Sequence, residues 1–359
     1  MATTGTDGET AGLAADLRGA RLARVVSRAD GDGLAAAAIL GRALAAVGIP
    51  RHLSLAPSAA AAASRLEEAG TAVPLGVPDS DCRFESAARC AYAAARELGT
   101  DPDPGLALAG SVAAGIEPQG PALDAARERG MQVRPGLAVP TADLATGLAY
   151  SGHVHASFSG DRAAAQEFLD NLGLPEELDE AARERVASAV ALEATDATAR
   201  AATAIERALA PRTAPTGFET VGGYADVLSA AAARDPGRAL AALLGSEDHE
   251  TLVALWTDYG TALHDGVEAV TADGAVATGR VEAIPPRDVA RLARDFAVPA
   301  ERVYVAGPAS IALATADPAA RSLLETRFDS QQIAGTETLA TVRTDSNVET
   351  VRDEIEANR

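Results

Sequence analysis

The run Arg28-Ala29-Asp30-Gly31-Asp32-Gly33 sets two carboxylates two residues apart, where the apolar stretch Leu22–Ser27 gives way to an alanine-rich segment. Carboxylates at the carboxyl end of a strand can converge on one point, which suits a hard divalent cation such as Mg²⁺ or Mn²⁺. Gly31 and Gly33 let the backbone turn sharply between them, and the following helix would aim unpaired amides at an anion. Asp30 and Asp32 are therefore candidate metal ligands, and Arg28, Gly31 and Gly33 candidate phosphate or nucleic-acid contacts. The plainer alternative is a strand-to-helix turn with Asp32 as N-cap. One aspartate pair holds such a cation only weakly without substrate phosphates, so further ligands decide the matter. His153 and His155 alternate on an extended stretch and could share a face, but the better expectation for both is a surface or satisfied histidine. His52, His249 and His264 are expected to be structural. Cys82 and Cys90 match no metal spacing and are expected as free thiols.

Positioning such a turn requires a strand before it and a helix after it, and the chain supplies both repeatedly. Strands are expected over 22–27, 51–56 and 72–77, with helices over 32–47, 59–68 and 84–98; residues 106–109 fit a short strand or a helix start. This alternation implies an α/β fold with a doubly wound, mostly parallel sheet, whose ligands sit at strand carboxyl ends. The pattern then turns helical: a charged stretch from 124 to 210 with a long helix over 175–209, then helices over 224–244 and to about 265. Strands over 266–272, 276–283, 302–305 and 338–343, with helices over 286–296, 319–328 and 348–356, form a second, smaller α/β domain. The expected division is a disordered acidic tail (1–19), a main domain (20–210), a helical connector (211–264) and the C-terminal domain (265–359).

The 359 residues carry a formal charge of -20, and all 31 basic Lys+Arg residues are arginine. That composition fits a cytoplasm at molar salt, where exposed carboxylates keep a protein hydrated and repulsion is screened. Acidity normally argues against nucleic acid, yet in a salt-adapted chain net charge reports the solvent more than the ligand. The N-terminal segment lacks a basic and apolar leader pattern, and no long apolar run offers a membrane span. A cytoplasmic location without membrane attachment is expected.

Four segments together carry a family resemblance: the Asp30-Gly31-Asp32-Gly33 turn, residues 105–115 (GLALAGSVAAG), residues 143–151 (DLATGLAYS) and Gly222-Gly223-Tyr224-Ala225-Asp226. Their order and spacing resemble archaeal, haloarchaeal-type RecJ-like proteins of the DHH phosphoesterase superfamily, over most of residues 21–245. The resemblance implies a DHH-type main domain and a DHHA1-like C-terminal domain. Active relatives hold two divalent metals, usually manganese, on four Asp and His motifs and activate a water against a phosphodiester.

This chain departs from that pattern at most positions. Arg28 replaces the first-motif histidine, the Asp-His-His motif is absent, Ala114 stands where an aspartate is expected, and no Gly-Gly-His occurs near the C-terminus. The second motif is matched weakly, by Asp79 or Asp81. The resemblance thus implies a vestigial metal set of Asp30, Asp32 and Asp81, binding Mn or Mg weakly. By the same resemblance the expected role is a catalytically degenerate, nucleic-acid-associated scaffold in DNA replication or repair, with single-stranded DNA or RNA, GINS and the helicase as partners. The alternatives are a residual metal-dependent single-strand exonuclease or phosphodiesterase, and an RNA-linked accessory protein.

Overall fold

The computed structural model describes residues 4–67, 71–77, 86–175, 177–195, 198–215 and 217–357. In chain order these form α1 (Thr4–Gly19), β1 (Ala23–Arg28), α2 (Gly31–Ala46), β2 (Arg51–Ala56), α3 (Ala59–Leu66), β3 (Thr71–Leu75), α4 (Ala87–Glu97), α5 (Pro104–Ala113) and α6 (Pro121–Glu128). There follow α7 (Leu144–Tyr150), α8 (Arg162–Asp170), α9 (Glu180–Ala194), α10 (Ala201–Ile205), α11 (Val221–Arg234), α12 (Pro236–Leu243) and α13 (His249–Glu268). The chain continues through β4 (Thr271–Asp273), β5 (Val276–Arg280), α14 (Pro286–Leu292), β6 (Arg302–Ala306), β7 (Ser310–Thr315), α15 (Ala320–Glu325), β8 (Ile333–Gly335), β9 (Leu339–Arg343) and α16 (Val348–Ala357).

Two compact units result, one of residues 1–134, 138–142 and 211–257, the other of residues 135–137, 143–210 and 258–359. In the first unit the sheet runs β2-β1-β3, all parallel, with Val25 of β1 opposite Leu53 and Val73. β1 is buried over Ala23–Ser27, as a strand covered on both faces must be. The order turns back at β1, so the carboxyl ends of β1 and β3 form a topological switch point, where ligands of such sheets bind. Helix α2 begins there. It is buried from Gly31 to Leu40, and its small alanines let α4, α5 and α11 pack closely against it.

The second unit holds a six-stranded sheet, β4-β5-β6-β7-β9-β8, in which β5 and β6 are parallel and the other pairs antiparallel. Tyr304, Leu313, Leu324, Val342 and Ile355 fill the core between this sheet, α15 and α16. No helix among the described residues is long and apolar enough to cross a membrane.

The α/β class with a parallel first sheet and a second α/β unit matches the expectation, while several boundaries differ. Residues expected as a disordered tail form α1, whose Ala14 and Leu17, three apart, bury one stripe. Residues 106–109 belong to helix α5, where Asp103 caps and Pro104 starts the first turn. Residues 211–257, expected as a connector, belong to the first unit, because α11 packs on α2 and α5; residues 143–210 belong to the second unit. The long helix over 175–209 is divided into α9 and α10, and Asp235-Pro236 separates α11 from α12. Residues 266–268 continue α13 instead of starting a strand. Strands β7 and β8 were not expected. Their alanines and glycine carry little strand preference, and pairing with β6 and β9 supplies it.

Cys90 is buried on α4 and disulfide-bonded, which corrects the expectation of free thiols. Cys82, the other cysteine of the sequence, lies outside the described residues.

Candidate functional site

Asp30 and Asp32 both sit at the β1–α2 switch point, but they are used differently. Asp30 is the N-cap of α2: its backbone is extended, and Oδ1 accepts from the Gly33 amide at 2.8 Å. Its other oxygen pairs with Arg28 at 2.7 Å, both side chains being about half exposed. The N-cap role that the plainer alternative gave to Asp32 thus falls to Asp30.

Asp32 is 3% exposed and points toward the start of α4. Its Oδ1 accepts from the Ser86 hydroxyl at 2.7 Å and the Ala88 amide at 2.9 Å, and its Oδ2 from the Ala87 amide at 2.7 Å. Ser86, itself the N-cap of α4, lies 3.2 Å from the Ser111 hydroxyl on α5. The buried carboxylate therefore closes the amino end of α4, where unpaired amides and the helix dipole favour an anion. Burial pushes the Asp32 carboxyl above the usual range, while the donors from Ala88, Ser86 and Ala87 oppose that shift.

The glycines are packing residues. A Cβ on Gly31 would stand 2.8 Å from Cβ of Ala113 and 2.9 Å from Oγ of Ser229, and one on Gly33 would stand 2.1 Å from the Arg28 carbonyl oxygen. Gly31 thus admits the end of α5 and the middle of α11, and Gly33 lets the first turn of α2 fold back on β1. Ala114 caps the C-terminus of α5. Asp79 and Asp81 lie outside the described residues.

No three His, Cys, Asp or Glu side chains among the described residues come together as a metal ion requires. Among the described residues the donors do not fit the paired divalent metals of the family resemblance: Asp32 is consumed by α4, and Asp30 is shared between an amide and a guanidinium. Ser86, Ala87 and Ala88 were missed in the sequence. Ser86 is legible as a helix N-cap, but nothing in its vicinity announces Asp32 as a partner.

The histidines fall elsewhere. In the second unit His155 and His264 stack with Nδ1 atoms 3.0 Å apart, and Nε2 of His264 is 3.2 Å from the Ser151 carbonyl oxygen. A carbonyl only accepts, so Nε2 of His264 carries its proton, and Nδ1 of the neutral ring accepts from His155. Burial lowers the pKa of His155 to about 4 and of His264 to about 3, with the neighbouring His155 adding to the second shift. The His249 ring lies tilted against Phe218 with centroids 4.2 Å apart, and His52 is exposed on β2.

No protein-family model matches the chain. The uncharacterized protein rrnAC1427 of Haloarcula marismortui is 39% identical over 298 residues, covering 80% of this chain and 79% of that one. Among solved structures, exonuclease RecJ bound to manganese matches with a TM-score of 0.51 at 15% identity, over 100% of this chain and 95% of that chain. CDC45 from Entamoeba histolytica matches with a TM-score of 0.52 at 8% identity, over 99% and 98%. At such identities the likeness is one of fold. The chain belongs to the family of the haloarchaeal protein rrnAC1427 and has a RecJ-like fold.

Proposed function

We propose that this protein is a catalytically degenerate member of the RecJ-like fold that acts by binding, as a nucleic-acid-associated scaffold in DNA replication or repair. One observation carries the reading: Asp32, which the family resemblance would make a metal ligand, spends both oxygens on the amino end of α4. A carboxylate held by three donors in a dry site has little left for a cation, and the Arg28 guanidinium on Asp30 places a permanent positive charge beside it. On this reading single-stranded DNA or RNA and replication proteins such as the helicase and GINS are the partners, in the cytoplasm.

The test is degradation and binding of single-stranded DNA and RNA by the full chain in molar KCl, with and without Mn²⁺, alongside Asp30→Asn. The expected result is binding of a labelled strand with no Mn²⁺-dependent shortening. Shortening that needs Mn²⁺ and disappears in Asp30→Asn would overturn the reading and establish a residual exonuclease or phosphodiesterase. Binding confined to RNA would move the role to an RNA-linked accessory protein.

A further inference from the structure

Away from the Asp30 turn, the first unit presents a sheet edge. β2 is the outer strand of its sheet and pairs with β1. The amide of Ala23 donates to the Pro50 carbonyl and that of Ala29 to the Ala56 carbonyl, each at 2.9 Å. In a parallel ladder this alternation commits the even-numbered residues of β2 to β1, and the N–H and C=O groups of Arg51, Leu53 and Leu55 face outward. Natural sheets cover or blunt such edges, because an outward row of donors and acceptors is a template for another strand. Here Nη1 of Arg65 covers the Leu55 carbonyl at 2.6 Å, at one end of the row. The stretch around Leu53 borders a cavity of about 360 Å³ instead.

The two faces of that edge differ in chemistry. Ala56 packs with Val26 and Ala62, so the even-numbered side chains of β2 face α3. Leu53 lies against Gly41 of α2, the opposite face. The cavity takes Arg24, His52 and Arg65 on its walls together with Pro236 and Leu240 of α12, and no carboxylate is among its described lining residues. The Arg65 side chain makes no ion pair among the described residues and donates to the Leu55 carbonyl, while the Arg65 carbonyl accepts from the Arg24 guanidinium. On a chain of charge -20 this is a local basic site. A strand added to β2 would turn alternate side chains to opposite faces, one set toward Arg65 and His52, the other toward Pro236 and Leu240.

We propose that the outer edge of β2 docks an extended segment of a partner protein in which acidic and apolar residues alternate, added as a fourth parallel or antiparallel strand. Backbone pairing at Leu53 supplies affinity, and the charge on the α3 face selects the segment. The site goes beyond the nucleic-acid role above, and its test neither uses nucleic acid nor depends on metal.

The test titrates the full chain with a fluorescent synthetic peptide of about ten residues, valine alternating with aspartate or glutamate, and follows amide hydrogen exchange of β2. The expected result is saturable binding that slows exchange at Leu53. Arg65→Glu should weaken binding at least about tenfold, by replacing attraction with like-charge repulsion. Leu53→Pro should abolish it, because proline removes an outward donor without touching the ladder to β1. If Leu53→Pro lowers the melting point, the exchange protection of the wild-type chain decides. No protection at Leu53 up to about 1 mM peptide, a weak limit for a specific segment, would overturn the proposal. So would equal binding of a peptide with lysine at the acidic positions, or displacement by inorganic phosphate with Leu53→Pro binding unchanged, which would reduce the site to a small-anion pocket.

Discussion

Asp32 in the first unit and His264 in the second are both buried, 3% and 0% exposed, yet their surroundings treat charge in opposite ways. Around Asp32 every partner is a donor: two amides at the start of α4 and a serine hydroxyl. Around His264 the partners are a carbonyl oxygen and a second imidazole, which can satisfy a neutral ring but offer nothing to a second proton. Both arrangements are complete in hydrogen bonds. The first is a compensated acid at a helix end, whereas the second is a base kept neutral by its burial, with the neighbouring His155 adding to the effect.

The largest expected effect follows from the histidines. Their folded-state pKa values, about 4 and about 3, lie below the unfolded 6.5, so the unfolded chain binds more protons between those limits. The stabilisation is fully present above pH 6.5 and is lost as pH falls toward 4 and 3. The pair should forfeit on the order of 5 kcal/mol between pH 7 and 4, read from denaturant midpoints. Asp32 works in the other direction: its folded pKa is raised, so its ionisation costs stability as pH rises. His155→Leu should flatten the acid limb of the curve by about half. An unchanged limb would mean that carboxylates elsewhere dominate acid unfolding and that the two buried sites do not differ in how they treat charge.

Next in size is Asp32→Ala, which strands Ser86 and the amides of Ala87 and Ala88 in a dry site and should cost about 3 kcal/mol. Ser86→Ala removes one of the three donors and the N-cap of α4, for about 1.5 kcal/mol. Asp30→Ala removes a half-exposed cap and a half-exposed ion pair and should cost about 1 kcal/mol. Thermal or urea unfolding measures all three. If Asp30→Ala proved as costly as Asp32→Ala, the distinction between a surface cap and a buried anion would fail.

Much of this architecture was legible in the residues, because it rests on local signals. The β1 strand, the Asp30 turn and β2 emerged within a residue or two of their observed ends, since apolar runs, glycines and Pro50 mark them. The site was legible only as a turn. What Asp32 does depends on amides 55 and 56 positions away, and a backbone N–H leaves no trace in residue type. His155 and His264 are 109 positions apart, each unremarkable alone. β7, Ser-Ile-Ala-Leu-Ala-Thr, would suit a helix as well as a strand, and its neighbours in the sheet decide.

Gly31 and Gly223 fix the order in which the first unit can be completed. Gly31 is shaped to Ser229 of α11, and a Cβ on Gly223 would fall 2.2 Å from the carbonyl carbon of Val139, so α11 must thread beneath residues 139–140 and against α2. A ribosome that has released residues 1–134 has delivered all three strands of the sheet but not this helix. Until α11 emerges, the apolar flanks of α2 and α5 stay wet and sticky, and closing them requires a long-range contact, slow by its entropy of loop closure. Completion of the N-terminal unit is therefore timed by translation of a segment far downstream.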